Sequence, residues 1–131
     1  MESTIQRRIS ILACRDLVRA YEHLVRVFGL GPGQLSRVVH GRVVHGELEA
    51  GDGMVWLHPE SERFRLLSPS TVGAATGMVA VLVEDLDAHF RRAVAEGADI
   101  IYEPVDQPYG FRKYGARDPE GGLWSFMRPI T

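Results

Sequence analysis

The sequence predicts an α+β protein built from two copies of one strand–helix–three-strand unit, βαβββ. Three features repeat at an offset of 69 residues. An apolar strand ends in aspartate at Asp16 and at Asp85, an amphipathic helix follows each aspartate, and a final strand containing Trp56 or Ser125 follows a glycine-containing turn. Because one copy alone cannot bury both its helix and its sheet, we expect the two copies to pack side by side.

The first copy begins with the apolar segment 9–16, which predicts a short strand. Asp16 can cap a helix, because its carboxylate accepts hydrogen bonds from the free N–H groups of the first turn. Apolar residues then recur at helical spacing as far as Phe28, and Gly29 is expected to end the helix. The remaining strands of this copy are expected at about 34–40, 42–50 and 54–57.

The second copy follows the same order, with an apolar strand at 78–85 and a helix that ends at Gly97. The serine-, proline- and glycine-containing stretch 59–77 is interpreted as the linker. We therefore expect a single domain over 1–131, with module 1 at about 7–58 and module 2 at about 78–128. The later strands of module 2 are expected at about 99–106, 111–117 and 123–126.

Composition excludes several functional classes. The chain has 131 residues, a formal net charge of −2 and one cysteine, Cys14. It has no basic surplus for neutralising phosphates, so we expect no nucleic-acid partner. The apolar runs are strand-length and the first residues lack the apolar segment of a signal peptide, so we expect no membrane association and a cytoplasmic setting. A lone cysteine excludes an internal disulfide.

The motifs of both copies resemble the vicinal oxygen chelate superfamily, which includes glyoxalase I, extradiol dioxygenases and bleomycin-resistance proteins. The resemblance covers nearly the whole chain and is closest to the small glyoxalase/bleomycin-resistance-like proteins. It implies paired βαβββ modules whose sheets curl into an open cup for the ligand, with helices on the convex side. The motifs that carry it are Asp16-Leu17, the helix end Tyr21 to Phe28-Gly29, Val83-Glu84-Asp85-Leu86 and Asp118-Pro119-Glu120-Gly121-Gly122-Leu123-Trp124.

Metal enzymes of this family hold their ion at four positions, one on the first and one on the last strand of each module. Counting from the two aspartates and the two last turns places these positions at Ile9, Trp56, Met78 and Ser125. Ile and Trp cannot bind a hard cation, Met offers a soft thioether, and Ser is a weak neutral ligand. The usual metal site is therefore predicted to be missing, and we expect no cofactor.

Strand alternation extends this ligand surface. If the four positions face the cup, its other residues are apolar except His58, which suits a flat aromatic or apolar ligand. The alternative is a cup filled by its own side chains. The further residues predicted to face it are Ile11, Ala13, Met54, His58, Ala80, Leu82, Leu123 and Met127.

Polar residues offer a second interpretation. His45 and Glu47 are predicted to face the cup, and the same offset of 69 carries His45 to Tyr114, with Arg112 two residues earlier. His45, Glu47 and His58 could form a relocated divalent-metal site or supply a general base. That reading predicts a metal-dependent glyoxalase-like lyase or isomerase, or a dioxygenase.

The segment 107–114 combines aromatic and basic residues. Tyr109, Phe111, Arg112 and Tyr114 could form a rim that clamps an aromatic or anionic ligand, or could simply pair across a hairpin. His40 and His89 are expected at the surface.

The leading expectation is metal-independent binding of a small organic ligand. The resemblance suggests antibiotic sequestration of the bleomycin-resistance type, in a homodimer with ligand sites at or near the subunit contact. A module that binds no small molecule is a third possibility. The residues expected to bind ligand are His45, Trp56, His58, Met78, Tyr109, Phe111, Arg112, Tyr114 and Ser125.

Overall fold

A computed structural model describes residues 3–130, with eight strands and three helices in that range. None of these helices has the length and apolarity needed to cross a membrane. The strands are β1 (Ile9–Cys14), β2 (Gly33–Val39), β3 (Arg42–Ala50), β4 (Gly53–Pro59), β5 (Met78–Leu82), β6 (Asp99–Asp106), β7 (Phe111–Arg117) and β8 (Leu123–Pro129). The helices are α1 (Leu17–Arg26), α2 (Pro69–Val72) and α3 (Leu86–Ala95).

The strands form two four-stranded mixed sheets of identical order. Sheet 1 has the order β1-β4-β3-β2 and sheet 2 the order β5-β8-β7-β6. In each sheet the first and last strands of the module pair in parallel, and the other neighbours pair antiparallel. The predicted α+β fold of two βαβββ modules with unclosed sheets is confirmed.

Both long helices begin where the sequence predicts. The Asp16 carboxylate accepts a hydrogen bond from the Arg19 amide, and the Asp85 carboxylate accepts one from the Ala88 amide. Each aspartate thus satisfies one of the free N–H groups of the first turn, which fixes where the helix leaves its strand.

The helix-facing sides of the two sheets share one core. The Phe28 ring, just beyond α1, lies 5.4 Å from the Trp124 ring and 4.8 Å from the Phe126 ring, both on β8. Leu57 on β4 and Leu86 on α3 belong to the same buried cluster. The face of each sheet that points away from this core is here called its open face.

Glu120 joins the modules. Its side chain is buried, and its two carboxylate oxygens accept hydrogen bonds from the amides of Arg15 (2.8 Å) and Asp16 (2.9 Å), between β1 and α1 of module 1. The same carboxylate accepts a hydrogen bond from the Ser68 hydroxyl, which is fully buried in the segment between the modules. The stretch 59–77 is therefore anchored at Ser68.

His89 makes a second contact between modules and corrects the expectation that it lies on the surface. Its Nε2 lies 2.8 Å from the Phe28 carbonyl oxygen, and its Nδ1 lies 2.7 Å from the Tyr114 hydroxyl. The carbonyl can only accept, so Nε2 carries the proton and Nδ1 accepts from the Tyr114 hydroxyl. Burial lowers the pKa of His89, which keeps the ring in this neutral form.

Candidate functional site

The open face of sheet 1 carries the residues that strand alternation predicts. In the parallel register of β1 and β4, Ile9 pairs with Met54, Ile11 with Trp56 and Ala13 with His58. Val55 and Leu57 alternate with these residues and lie in the core, so Trp56 is on the open face. Ile9 and Ile11 remain 39% and 41% exposed, which leaves an apolar strip along the β1 edge.

His45 lies at the centre of a polar and aromatic cluster on this face. Its Nε2 lies 2.8 Å from a Glu47 carboxylate oxygen. Its ring centroid lies 5.2 Å from that of Trp56, in an edge-on arrangement, and 5.1 Å from that of His58. The predicted convergence of His45, Glu47 and His58 is therefore observed. Burial, with a smaller contribution from the neighbouring His45, lowers the pKa of His58 and favours its neutral form.

Three buried polar atoms on the open faces lack hydrogen-bond partners within residues 3–130. They are His45 Nδ1, Trp56 Nε1 and Ser125 Oγ. Buried polar atoms are nearly always paired, so each such atom calls for a partner such as a ligand or water. A fourth atom of this kind, His23 Nδ1, lies on α1 away from these faces.

The open face of sheet 2 carries Met78 and Ser125, the two remaining positions of the family ligand set. Met78 begins β5 and is 54% exposed, and Ser125 on β8 is fully buried. Ala80 pairs with Ser125 and Leu82 pairs with Met127, so this face is also largely apolar. Trp124 and Phe126 alternate with Ser125 and point into the core.

The prediction that Arg112 and Tyr114 face the cup is wrong. Tyr114 is fully buried in the shared core and bonds to His89, and burial raises the pKa of its phenol. Arg112 lies on the same side of β7 and pairs with Asp87 of α3 at 3.2 Å and with Asp106 of β6 at 3.1 Å. Both side chains therefore stabilise module 2 from its helix-facing side.

The cause is a one-residue difference in register between the modules. Glu47 on β3 pairs with Trp56, whereas the partner of Ser125 on β7 is Gly115. The equivalent of Glu47 is thus Gly115, 68 residues later, and the equivalent of His45 is Lys113. Because successive strand residues point to opposite faces, a shift of one residue exchanges the faces of the whole strand.

Lys113, Tyr102 and Gly115 therefore lie on the open face of sheet 2, where the repeat offset did not predict them. A Cβ atom at Gly115 would lie 2.5 Å from the Tyr102 ring, so glycine allows this ring to cover β7. The Lys113 ammonium lies 5.6 Å from the Tyr109 ring centroid. The signal that could have found them is the length of the connection 118–122, which exceeds the two-residue turn Gly51-Asp52.

Tyr109 and Phe111 lie at the edge of the open face of sheet 2. Phe111 lies on the same side of β7 as Lys113 and Gly115, and the Tyr109 ring lies 6.4 Å from it in the preceding loop. Tyr109 is 59% exposed, so it is accessible to a ligand on the open face.

The four family ligand positions do not fit a hard divalent ion. Ile9 and Trp56 have no suitable donor atom, and Met78 and Ser125 offer a thioether and a hydroxyl. Over residues 3–130, no group of three or more His, Cys, Asp or Glu side chains is placed to hold a metal ion, and this includes the set His45, Glu47 and His58.

Comparisons with known proteins agree with this architecture. A family model described as the glyoxalase/bleomycin resistance protein/dioxygenase superfamily matches residues 7–126. The solved structure of TioX from Micromonospora sp. ML1 is similar at 37% identity and a TM-score of 0.72, over 96% of this chain and 98% of TioX.

Two further proteins extend the comparison. TnmS3, described as an antibiotic binding protein from Streptomyces sp. CB03234, has a TM-score of 0.75 at 19% identity, over 98% of this chain and 99% of its own. An uncharacterized protein of Mycobacterium bovis is 27% identical over 124 residues, which is 91% of this chain and 80% of that protein.

Proposed function

We propose that this chain, which belongs to the glyoxalase/bleomycin resistance protein/dioxygenase superfamily, binds a flat, largely apolar or aromatic small molecule without a metal ion. One observation carries the proposal. The positions at which the family holds its metal are occupied by Ile9, Trp56, Met78 and Ser125, and all four lie on the open faces. A surface that has lost the donors for a hard cation and carries an indole in their place favours burial and stacking over coordination.

Trp56 is the main contact in this proposal. Its ring is partly exposed and is held from one side by the buried His45 ring, so a flat ligand can stack on its free side without a large loss of side-chain entropy. Ile9, Ile11 and Met54 extend the apolar contact along the neighbouring strand positions. His58 borders the same surface as a neutral ring.

The unpartnered atoms support a ligand that carries a few polar groups. Trp56 Nε1 can only donate a hydrogen bond, whereas Ser125 Oγ can donate or accept. A small shift of the covering side chains would expose these atoms to ligand oxygens. A buried donor that gains a partner contributes about 1–3 kcal/mol, enough to select among molecules of similar shape.

A homodimer would complete the site. Each open face by itself can contact only one side of a flat ligand. A second copy could place its sheet 2 face, with Met78 and Ser125, opposite the sheet 1 face carrying Trp56. The exposed Ile9, Ile11, Met78 and Leu82 would then become buried between the subunits.

The biological role we propose is sequestration of an antibiotic, in which the protein protects by occupancy and breaks no bond. The description of TnmS3 as an antibiotic binding protein supports this class of role for the fold. The TioX similarity supports the relationship over the whole chain. Tyr109, Phe111 and Lys113 would contact the part of the ligand that protrudes at the edge of sheet 2.

A melting-shift screen of planar aromatic antibiotics, followed by calorimetric titration, tests the proposal. We expect at least one compound to bind in a saturable manner, and Trp56→Ala to weaken it at least tenfold, on the order of 1.4 kcal/mol. Val94→Ala is the matched control, because Val94 is an exposed apolar residue on α3, far from both open faces. Equal binding by wild type and Trp56→Ala would contradict the assigned site.

Metal analysis of protein purified without chelators or a metal-binding tag tests the absence of a metal. We expect less than a tenth of an equivalent of zinc, iron, nickel or manganese. A near-stoichiometric metal that is lost in His45→Ala would overturn the proposal and favour the relocated-site enzyme. Sedimentation at several concentrations tests the homodimer, and a monomer at every concentration would contradict it.

A further inference from the structure

A cavity of about 310 Å³ lies between the two modules, at the edges of β1 and β5, and residues from both faces of these strands line it. Its walls come from both modules and from the segment between them. The exposed lining residues lie on the segment 66–77 and along the edges of β1 and β5, so the cavity opens there. Its apolar lining includes Ile11 and Met78 from the open faces, and Leu24, Leu57, Val79 and Trp124 from the buried core.

The cavity follows from how the two modules meet. Each long helix packs on its own sheet, and the edge strands β1 and β5 do not pair with one another. A gap therefore remains between the sheet edges, and the segment around Leu67 covers it. Small-molecule sites are commonly pockets of about 300–1,000 Å³ with mainly apolar walls. The volume of this space lies at the lower end of that range.

The two carboxylates that line the cavity already have partners. Asp118 accepts hydrogen bonds from the Trp124 indole and from the Gly122 and Glu120 amides. The Glu120 carboxylate is occupied by module 1 amides and by Ser68. Two nearby carboxylates disfavour an anion, and no polar group named here requires a ligand partner. The residues that line the cavity therefore favour a neutral apolar ligand.

The volume of the cavity limits the size of the ligand. A dry apolar cavity of about 150 Å³ binds benzene, and the present one has about twice that volume. We infer that this cavity is a second binding site, for a neutral aromatic molecule of two fused rings. It shares Ile11 and Met78 with the open faces, but none of Trp56, His45 and Ser125 lines it, so binding here and binding at Trp56 can be told apart by experiment.

Naphthalene is the probe for this site, and methyl-resolved NMR is the readout. We expect saturable, one-to-one ring-current shifts at the methyl groups of Leu24, Leu57 and Val79. The chemical shifts of the Ile9 methyl groups, which lie on the open face and do not line the cavity, should not change. Shifts confined to the methyl groups of Ile9 and Met54, which do not line the cavity, or no saturable shift in the wild type, would overturn the inference.

A matched pair of variants on β5 separates cavity binding from general stability. Val79 lines the cavity, whereas Val81, two residues later on the same side of the strand and equally half-buried, does not. Val79→Phe should weaken naphthalene binding at least tenfold, and Val81→Phe less than threefold. Val79→Leu gives a smaller, graded loss if the larger side chain prevents folding. Equal affinity in Val79→Leu, Val81→Phe and the wild type would contradict the site.

Discussion

The strands β3 and β7 occupy the same place in their modules but present opposite sets of side chains. On β3, His45 and Glu47 face outward and Gly46 faces the helix; on β7, Lys113 and Gly115 face outward and Tyr114 faces the helix. The difference arises from one residue in a hairpin connection. Two halves with the same element order can thus have different surfaces, and sheet 1 alone keeps the His45–Trp56 cluster.

The largest effect is expected from Tyr114→Ala. Tyr114 is fully buried and bonds to His89, so its removal leaves a cavity and an unpartnered imidazole. We expect a loss of about 3–5 kcal/mol in the free energy of unfolding. His45→Ala, at the position 69 residues earlier, should cost only about 1 kcal/mol. Urea denaturation measures the free energy of unfolding of both variants. Equal losses would contradict the difference in register between β3 and β7.

Gly115→Ala tests the equivalence of Gly115 and Glu47. The added methyl group would meet the Tyr102 ring, so the ring must move. We expect a loss of about 1–3 kcal/mol, whereas Glu47→Ala, on a partly exposed side chain, should cost less than about 1 kcal/mol. Thermal unfolding at neutral pH measures both. A neutral Gly115→Ala variant would show that Tyr102 does not cover β7.

The two helices contribute similarly to pH dependence, through His23 in α1 and His89 in α3. Burial lowers the pKa of His23 to about 4 and also lowers that of His89, whereas an unfolded chain protonates near 6.5. The unfolded state therefore binds more protons below pH 7, and stability present at pH 7 is lost as the pH falls toward 4. Because both rings are partly exposed, we expect a loss on the order of 1–2 kcal/mol.

Chemical denaturation at pH 7 and at pH 4.5 measures this loss. His23→Gln and His89→Gln should each reduce the difference between the two pH values. An unchanged difference in both variants would assign the pH dependence to the carboxylates.

Arg112 should give the smallest effect of the four. It lies on the helix-facing side of β7 and pairs with Asp87 and Asp106 in a partly exposed setting. Arg112→Met keeps most of the side-chain volume and should lower Tm by no more than about 2 °C. It should also leave ligand affinity unchanged, which a titration with any compound found in the screen can check. A tenfold loss of ligand affinity in this variant would indicate that Arg112 does contact the ligand.

Much of the fold was predictable because its signals are local. The helix starts depend on Asp16 and Asp85, whose side chains act within three residues, and the repeat offset then located Trp56 and Ser125 on their strands. The face of β7 was not predictable in this way. It depends on how many residues the connection 118–122 adds to the hairpin, and the glycines there allow several turn geometries.

The contacts between modules were also beyond the sequence patterns. Nothing in the spacing of Glu120 or Ser68 indicates that their side chains meet, since 52 residues separate them. His89 was expected at the surface of a helix, yet its ring bonds to the Phe28 carbonyl of the other module. Long-range polar pairs of this kind depend on packing geometry that amphipathic periodicity does not specify.

The Glu120 joint makes the two modules chemically unequal partners. Module 2 supplies the carboxylate, module 1 supplies the amides of Arg15 and Asp16, and the residue 69 positions before Glu120 is Gly51, which has no side chain to return the contact. The halves of this duplicated chain are therefore not interchangeable. A circular permutant opened at the exposed turn Glu62–Arg65 would keep the joint, whereas a chain made of two copies of module 1 would lack it.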